Sequence, residues 1–207
     1  MSLRLSGGRR LQSPPGDTAR PTPSRVRLAV MNILAAELPG CRWLDLCCGS
    51  GAMGCEALLR GAAEVMAIER HRQVSAVARA NLESVAAGIR GSAGDDPGPL
   101  VRVHCGDVVK LLHQMGSEGG GRAARFDLIY ADPPYAAGLY GPIAHGVETG
   151  GWLRQGGTMV WECASDAVPQ LPERWQLRLQ RHYGGTTVLL LNPPDSSVDP
   201  ADAVDPG

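Results

Sequence analysis

The sequence predicts an α/β fold: five or so parallel strands covered by helices on both faces, closed by an antiparallel hairpin to make seven strands. Three observations carry this. Short apolar runs alternate with helical stretches along most of the 207 residues, which is the signature of successive βαβ units. A glycine turn follows the first run, where open α/β sheets bind ligands. The last two runs are joined by "GGT", too short for a crossover helix, so they must pair antiparallel.

Taken in order, a helix is expected over Pro23–Leu38, with Val26, Val30, Ile33 and Leu34 on one side. Strands follow at "RWLDLC" (42–47), "EVMAIE" (64–69), "LVRVHC" (100–105) and "FDLIYA" (126–131). Helices at 52–60, 72–87 and 108–115 separate these four. The middle one places Val74, Val77, Ala78, Asn81, Leu82 and Val85 on one stripe. "TMVWEC" (158–163), "WQLRLQRHY" (175–183) and "TVLLLN" (187–192) complete the strands. The stretches 88–99 and 116–124 read as mobile glycine-rich loops, and the chain beyond Asn192 as disordered. The organisation is a basic arm or hairpin at 1–20, a body at 21–192 and an acidic tail at 193–207. At 43% hydrophobic, the chain can bury one substantial core.

Composition excludes several classes. No apolar run approaches the roughly 18 residues of a membrane span. "MSLRLSGGRRLQSPPG" has arginines without an apolar core segment, so it is not a secretory signal and the cytoplasm is the expected compartment. The six cysteines lack C-x-x-C spacing, so they are expected to be reduced thiols with no metal site. Net charge is −1, but four Asp in "DSSVDPADAVDPG" leave the remainder at +3. Residues 1–27 hold Arg4, Arg9, Arg10, Arg20, Arg25 and Arg27 against Asp17 alone. Such an arm is a candidate contact for a polyanion; a solvated arm without a partner is the other reading.

"WLDLCCGSGAMG" (43–54) admits two ligands. Gly49, Gly51 and Gly54 fit G-x-G-x-x-G, and Glu69 ends the next strand, as in a dinucleotide site. Asp45, however, sits in the strand feeding the turn, where a pyrophosphate would meet a like charge. At an effective dielectric of about 20, that opposition costs roughly 4 kcal/mol. S-adenosylmethionine reverses the sign, because its sulfonium and ammonium are positive. Asp45 would attract the amino-acid end, and Gly49, Ser50 and Gly51 would allow close backbone approach. Glu69 would take the ribose hydroxyls and Asp107, in "CGDV", the adenine amine. Each acid alone could equally be a helix cap or loop residue; Asp107 before "VVKLLHQM" is an example.

"FDLIYADPPYAAG" delivers Asp132, Pro133, Pro134 and Tyr135 to the carboxyl end of a strand expected beside the first one. An exocyclic amine on a heteroaromatic ring is a poor nucleophile because its lone pair is delocalised. A carboxylate accepting an N–H bond localises that pair and aims it. The prolines stiffen the loop and leave carbonyls free for the second amine hydrogen. Tyr135 offers a face on which a flipped base can stack, worth about 1–3 kcal/mol. The remaining catalysis is positioning. The same chemistry serves RNA guanine, DNA adenine or cytosine, and protein glutamine amides. A dinucleotide-binding protein is the reading from another class.

These motifs together resemble the RsmD-type bacterial methyltransferases, over roughly Leu3 to Leu191. "LSGGRRL" is similar to that family's opening hairpin, and "RPTPSRVRLAVMNIL" to its R-P-T-x-x-R-V-R helix start. "DLCCGSGAMGCEALLRGA", "DPPY" and "YGGTTVLLL" resemble its turn and helix, its catalytic tetrapeptide and its final hairpin. Ser24 and Leu28 stand where acidic residues are usual. The resemblance implies a Rossmann-like class I methyltransferase fold, S-adenosylmethionine as donor, and methylation of guanine N2 in small-subunit ribosomal RNA. It also implies a cofactor role for Thr22, phosphate contacts for the arginine arm, and a monomer acting on the ribosomal subunit or an assembly intermediate.

Overall fold

The computed structural model describes residues 3–14, 22–90, 97–118, 126–134 and 137–194. Its elements run α1 (Ser24–Ile33), β1 (Arg42–Leu46), α2 (Ala52–Leu59), β2 (Glu64–Glu69), α3 (Arg72–Arg90) and β3 (Leu100–Cys105). They continue with α4 (Val108–Glu118), β4 (Phe126–Ala131), α5 (Tyr140–Thr149), β5 (Leu153–Ala164), β6 (Gln176–Tyr183) and β7 (Thr186–Asn192). The seven strands lie in the order β3-β2-β1-β4-β5-β7-β6. The first five are parallel; β7 pairs antiparallel with both β5 and β6.

β1, β2 and β4 are almost wholly buried, as central parallel strands sandwiched between helices must be. Alternation along each strand separates two cores. Trp43, Val65, Tyr130 and Val160 pack with α1, α2 and α3 on one face. Leu44, Leu46, Ile129 and Trp161 pack with α4 and α5 on the other. The β6–β7 turn is the two-residue loop Gly184–Gly185, and Gly184 has the positive φ of 69° that such tight hairpin turns demand.

Several expected boundaries move. α3 runs through Arg90 and α4 through Glu118, so the starts of both glycine-rich stretches are helical; residues 91–96 and 119–125 lie outside the described residues, as does the tail beyond 194. Regular helix α1 ends at Ile33, five residues early. Helix α5 was not indicated by periodicity, because Gly141, Pro142 and Gly146 give it poor intrinsic propensity. Burial of Tyr140, Ile143, Ala144 and Val147 holds it. Gly146 is needed there: a side chain would come within 3.2 Å of Leu112 on α4.

The opening residues form a hairpin with Arg4 bridged to Arg10. It is stitched to the body: Leu5 and Leu11 are buried in the α1–α3 core, and Asn81 on α3 brackets the Gln12 backbone, accepting its N–H and donating to its carbonyl. Under the hairpin, Glu56 receives the Ser6 N–H and hydroxyl and pairs with Arg27 at 3.1 Å. Arg27 also donates to the carbonyls of Arg4 and Thr22. This corrects one expectation: Arg27 is 2% exposed and cannot reach a phosphate, because its guanidinium is consumed by a buried carboxylate and two carbonyls.

Candidate active site at the strand ends

The functional side chains gather where β1, β2, β3, β4 and β5 end. Three residues in the left-handed region make the turn after β1: Cys47 at φ 62°, Gly49 at 53° and Gly51 at 77°. A side chain on Gly49 would meet nothing within 4 Å, so that position opens outward, whereas one on Gly51 would press Leu82 and Ala78. Gly54 lets α2 lie on the sheet, since a side chain there would come within 2.9 Å of Val65. Ser50 is buried, and its carbonyl is held by the Asn81 amide at 2.9 Å. The asparagine counted in an apolar stripe therefore ties the hairpin to the glycine turn.

Asp45 lies beneath the turn rather than in its mouth. It is 1% exposed and accepts the Gly54 N–H at 3.1 Å. Burial, aided by the charge of Glu69, pushes its carboxyl up to about 8. Glu69 accepts the N–H groups of Gly49 and His71, which aims it across the turn. Asp107 caps α4 by accepting the Lys110 N–H at 3.1 Å, and stays half-exposed. Asp107 is thus a helix cap, and it remains accessible from solvent.

β4 lies beside β1, with Asp45 registered on Tyr130 and Leu46 on Ala131. Asp132 follows directly, half-buried, with Pro133 buried and Pro134 exposed. The Pro134 carbonyl accepts the Ala137 N–H at 2.9 Å, so it closes the loop instead of standing free. Tyr135 lies outside the described residues. The Thr22 side chain, in the segment ahead of α1, works against the rise of the Asp132 and Tyr130 groups. Burial and the charges of Glu162 and Asp45 raise the Asp132 carboxyl well above the usual carboxylate range.

Sequence reasoning missed Glu162 and Tyr130. Glu162 is 1% exposed on β5, and the Tyr130 phenol donates to its carboxylate. The available signal was a lone acid in the apolar run "TMVWEC", next to the strand carrying D-P-P-Y.

The basic arm is mixed. Arg4 and Arg10 are exposed at the hairpin, and Arg4 donates to the Gly8 carbonyl. Arg9 is spent on Ser84, bonding its carbonyl and hydroxyl. Arg25 is exposed and donates to the Tyr183 carbonyl, lying over the Gly184 turn. Arg20 lies outside the described residues.

This sheet order, with acids at successive strand ends around a glycine turn, defines the class I methyltransferase fold. A 2.4 Å structure of the rRNA methyltransferase aviRa from Streptomyces viridochromogenes shares it, at TM-score 0.64 and 17% identity over 88% of this chain and 89% of that one. The Escherichia coli protein yhhF superposes at TM-score 0.73, 29% identical, covering 94% of this chain and 99% of that one.

The family is more specific. The profile described as conserved hypothetical protein 95 matches residues 5–192. Ribosomal RNA small subunit methyltransferase D of Escherichia coli K12 is 31% identical over 187 residues, 88% of this chain and 85% of that protein. The chain belongs to this RsmD family.

Proposed function

We propose that the protein transfers a methyl group from S-adenosylmethionine to the exocyclic N2 amine of a guanine in small-subunit ribosomal RNA. The observation carrying the reading is the sign of the charge around the glycine turn. The charges acting on Asp45 and Asp132 are all negative: Glu69 on the first, Glu162 and Asp45 on the second. A cationic ligand relieves that repulsion; a pyrophosphate adds to it. The residues therefore fit the donor, with Asp45 beneath the turn giving up its proton to become the counter-charge as the cation binds, Glu69 and Asp107 as acceptors for its hydroxyls and amine, and open Gly49 as the cradle. Bound there, the donor supplies an electrophilic methyl group on a positive sulfur.

The protein's own part is orientation. Asp132 accepts an N–H of the target amine, Pro133 and Pro134 stiffen the loop, and Tyr135 stacks on the flipped base. The exposed Arg4, Arg10 and Arg25, with Arg20, supply phosphate contacts that carry no sequence information. The small subunit as substrate follows the relatives' activity, and that substrate places the protein in the cytoplasm.

The test is transfer of a labelled methyl group to small subunits lacking the modification, followed by mapping of the modified nucleotide. We expect one labelled guanine, and Asp132→Asn is expected to lower turnover at least about 100-fold with donor affinity kept. No incorporation by folded protein, or stabilisation by NAD in place of S-adenosylmethionine, overturns the reading.

A further inference from the structure

The arginines at the surface divide by position. Arg42, Arg102, Arg154, Arg174 and Arg178 each pair with a carboxylate, Glu64 serving the first two and Asp127, Glu148 and Glu37 the others. All five sit in the opening half of β1, β3, β5 or β6, or just ahead of β6, at the end of the sheet remote from Asp132. Arg181 lies at the other end. β5 and β6 both pair antiparallel with β7, so they run the same way. Trp161, level with Ala131, faces Leu189, which in turn faces Gln180. One residue further on, Glu162 and Arg181 both face Val188. Asp132, Glu162, Val188 and Arg181 therefore stand in one row across the sheet. Three strand spacings separate the ends of that row, about 14 Å.

Alternation settles the face. Val188 belongs to the α1–α3 core, and Arg181, opposite it, stands on that side of the sheet. Arg25, at the start of α1, is on the same side and donates to the Tyr183 carbonyl at 2.9 Å. Arg181 precedes Tyr183 by two residues, about 7 Å along the strand. Both arginines are exposed. Arg181 donates to the Gln180 carbonyl at 3.0 Å, and among the described residues neither arginine is paired with a carboxylate. Asp166, just past β5, is the exposed acid at this corner, and it makes no pair with Arg181. His182 faces the other way, with one ring nitrogen at the Thr187 hydroxyl and the other at the Gln180 amide. β6 is the last strand of the sheet, so this corner is open to a partner.

We propose that Arg181, with Arg25 beside it, holds a backbone phosphate of a nucleotide flanking the target guanine, so that the RNA strand runs from the D-P-P loop across the ends of β5 and β7 to the edge of the sheet. This rests on the RNA-methylation reading and carries the interface beyond the opening hairpin. Charge and position select the occupant. The acids of the site are buried or half-buried, where they face a cationic donor; the two arginines stand outside them, in solvent. An arginine already paired must give up its carboxylate to take a phosphate, and Arg181 has none to give up. A guanidinium offers a phosphate two parallel N–H bonds, and such a contact fixes register without reading a base. Arg181 thus sets where the flanking phosphate lies, and through it how the target base enters.

The test measures affinity for small subunits lacking the modification, against salt, with kcat and KM for methyl transfer beside it. Arg181→Ala should weaken binding at least about 5-fold at low salt and lower the slope of log affinity against log salt by about 1. KM should rise in step, with kcat within about 2-fold of wild type. Arg181→Lys keeps the charge and should keep the slope. Arg174→Ala, which removes the same charge at the remote end, should change neither affinity nor slope. Calorimetry with S-adenosylmethionine should give wild-type affinity in every variant. Arg181→Ala indistinguishable from Arg174→Ala, Arg181→Lys with the slope of Arg181→Ala, or a loss of donor affinity overturns the proposal. So does weaker subunit binding with an unchanged slope, which would assign Arg181 to a protein surface of the subunit. Wild-type protein that leaves subunits unmethylated defeats the functional reading itself, whereas active wild type with a neutral Arg181 defeats this inference alone.

Discussion

Replacing Arg27 with Met separates two roles that its position in an arginine-rich arm confuses. Both members of the Arg27–Glu56 pair are buried, with side chains 3% and 0% exposed. Met keeps the apolar stem but leaves the Glu56 carboxylate, among the described residues, with the Ser6 donors alone, and strips a donor from the carbonyls of Arg4 and Thr22. Removing one partner of a buried pair costs about 3–5 kcal/mol, because the other charge stays buried without compensation. For a domain of this size each kcal/mol moves Tm by about 2–4 °C, so Tm should fall by roughly 6–20 °C. The double variant Arg27→Met, Glu56→Leu removes both charges and should recover most of the loss. Urea titration of the four proteins gives the coupling energy directly. A single variant within about 2 °C of wild type, or a double variant as unstable as the two singles summed, would refute the assignment of Arg27 to the core.

Three other outcomes follow from the geometry. Asp45→Asn keeps an acceptor for Gly54 and removes a carboxyl whose folded value, about 8, lies above its ordinary 3.8; such a group weakens folding as pH rises between those values, so the variant's Tm advantage over wild type should widen from pH 5 to pH 8, on the order of 4 kcal/mol at the upper end. Donor affinity, measured by calorimetry, should fall in the same variant, and an equal Tm difference at both pH values would count against a buried, raised Asp45. Gly54→Ala places a methyl 2.9 Å from Val65 and 3.0 Å from Leu82 and should destabilise by about 1–3 kcal/mol in denaturant titrations. Changing Arg4, Arg10 and Arg25 to Ala together should reduce the slope of log affinity for the subunit against log salt by about 2–3, while an unchanged slope would remove them from the interface.

Much of the site was legible because strand ends are local features. Periodicity marked β1, β2, β3 and β4, and the candidates followed from position alone: Asp45 inside the end of β1, Glu69 closing β2, and Asp107 and Asp132 just past β3 and β4. α5 escaped because its glycines and proline weaken any helical pattern, and its reason to be helical is the sheet it packs on. Asn81 was counted as apolar stripe because its side-chain partners, Gln12 and Ser50, lie 69 and 31 residues away. Arg27 looked like its neighbours for the same reason: nothing within the arm announces a partner at Glu56.

The order of residue types along the chain was enough to determine the alternating α/β class, the closing hairpin and the acidic glycine corner, since each follows from spacing within a dozen residues. Which charges are buried, and which face one another, belonged to the tertiary structure alone. Parallel strands bring together residues some thirty apart, as Tyr130 and Glu162 are, and burial is what lifts the Asp132 and Glu162 carboxyls above the range of ordinary acids.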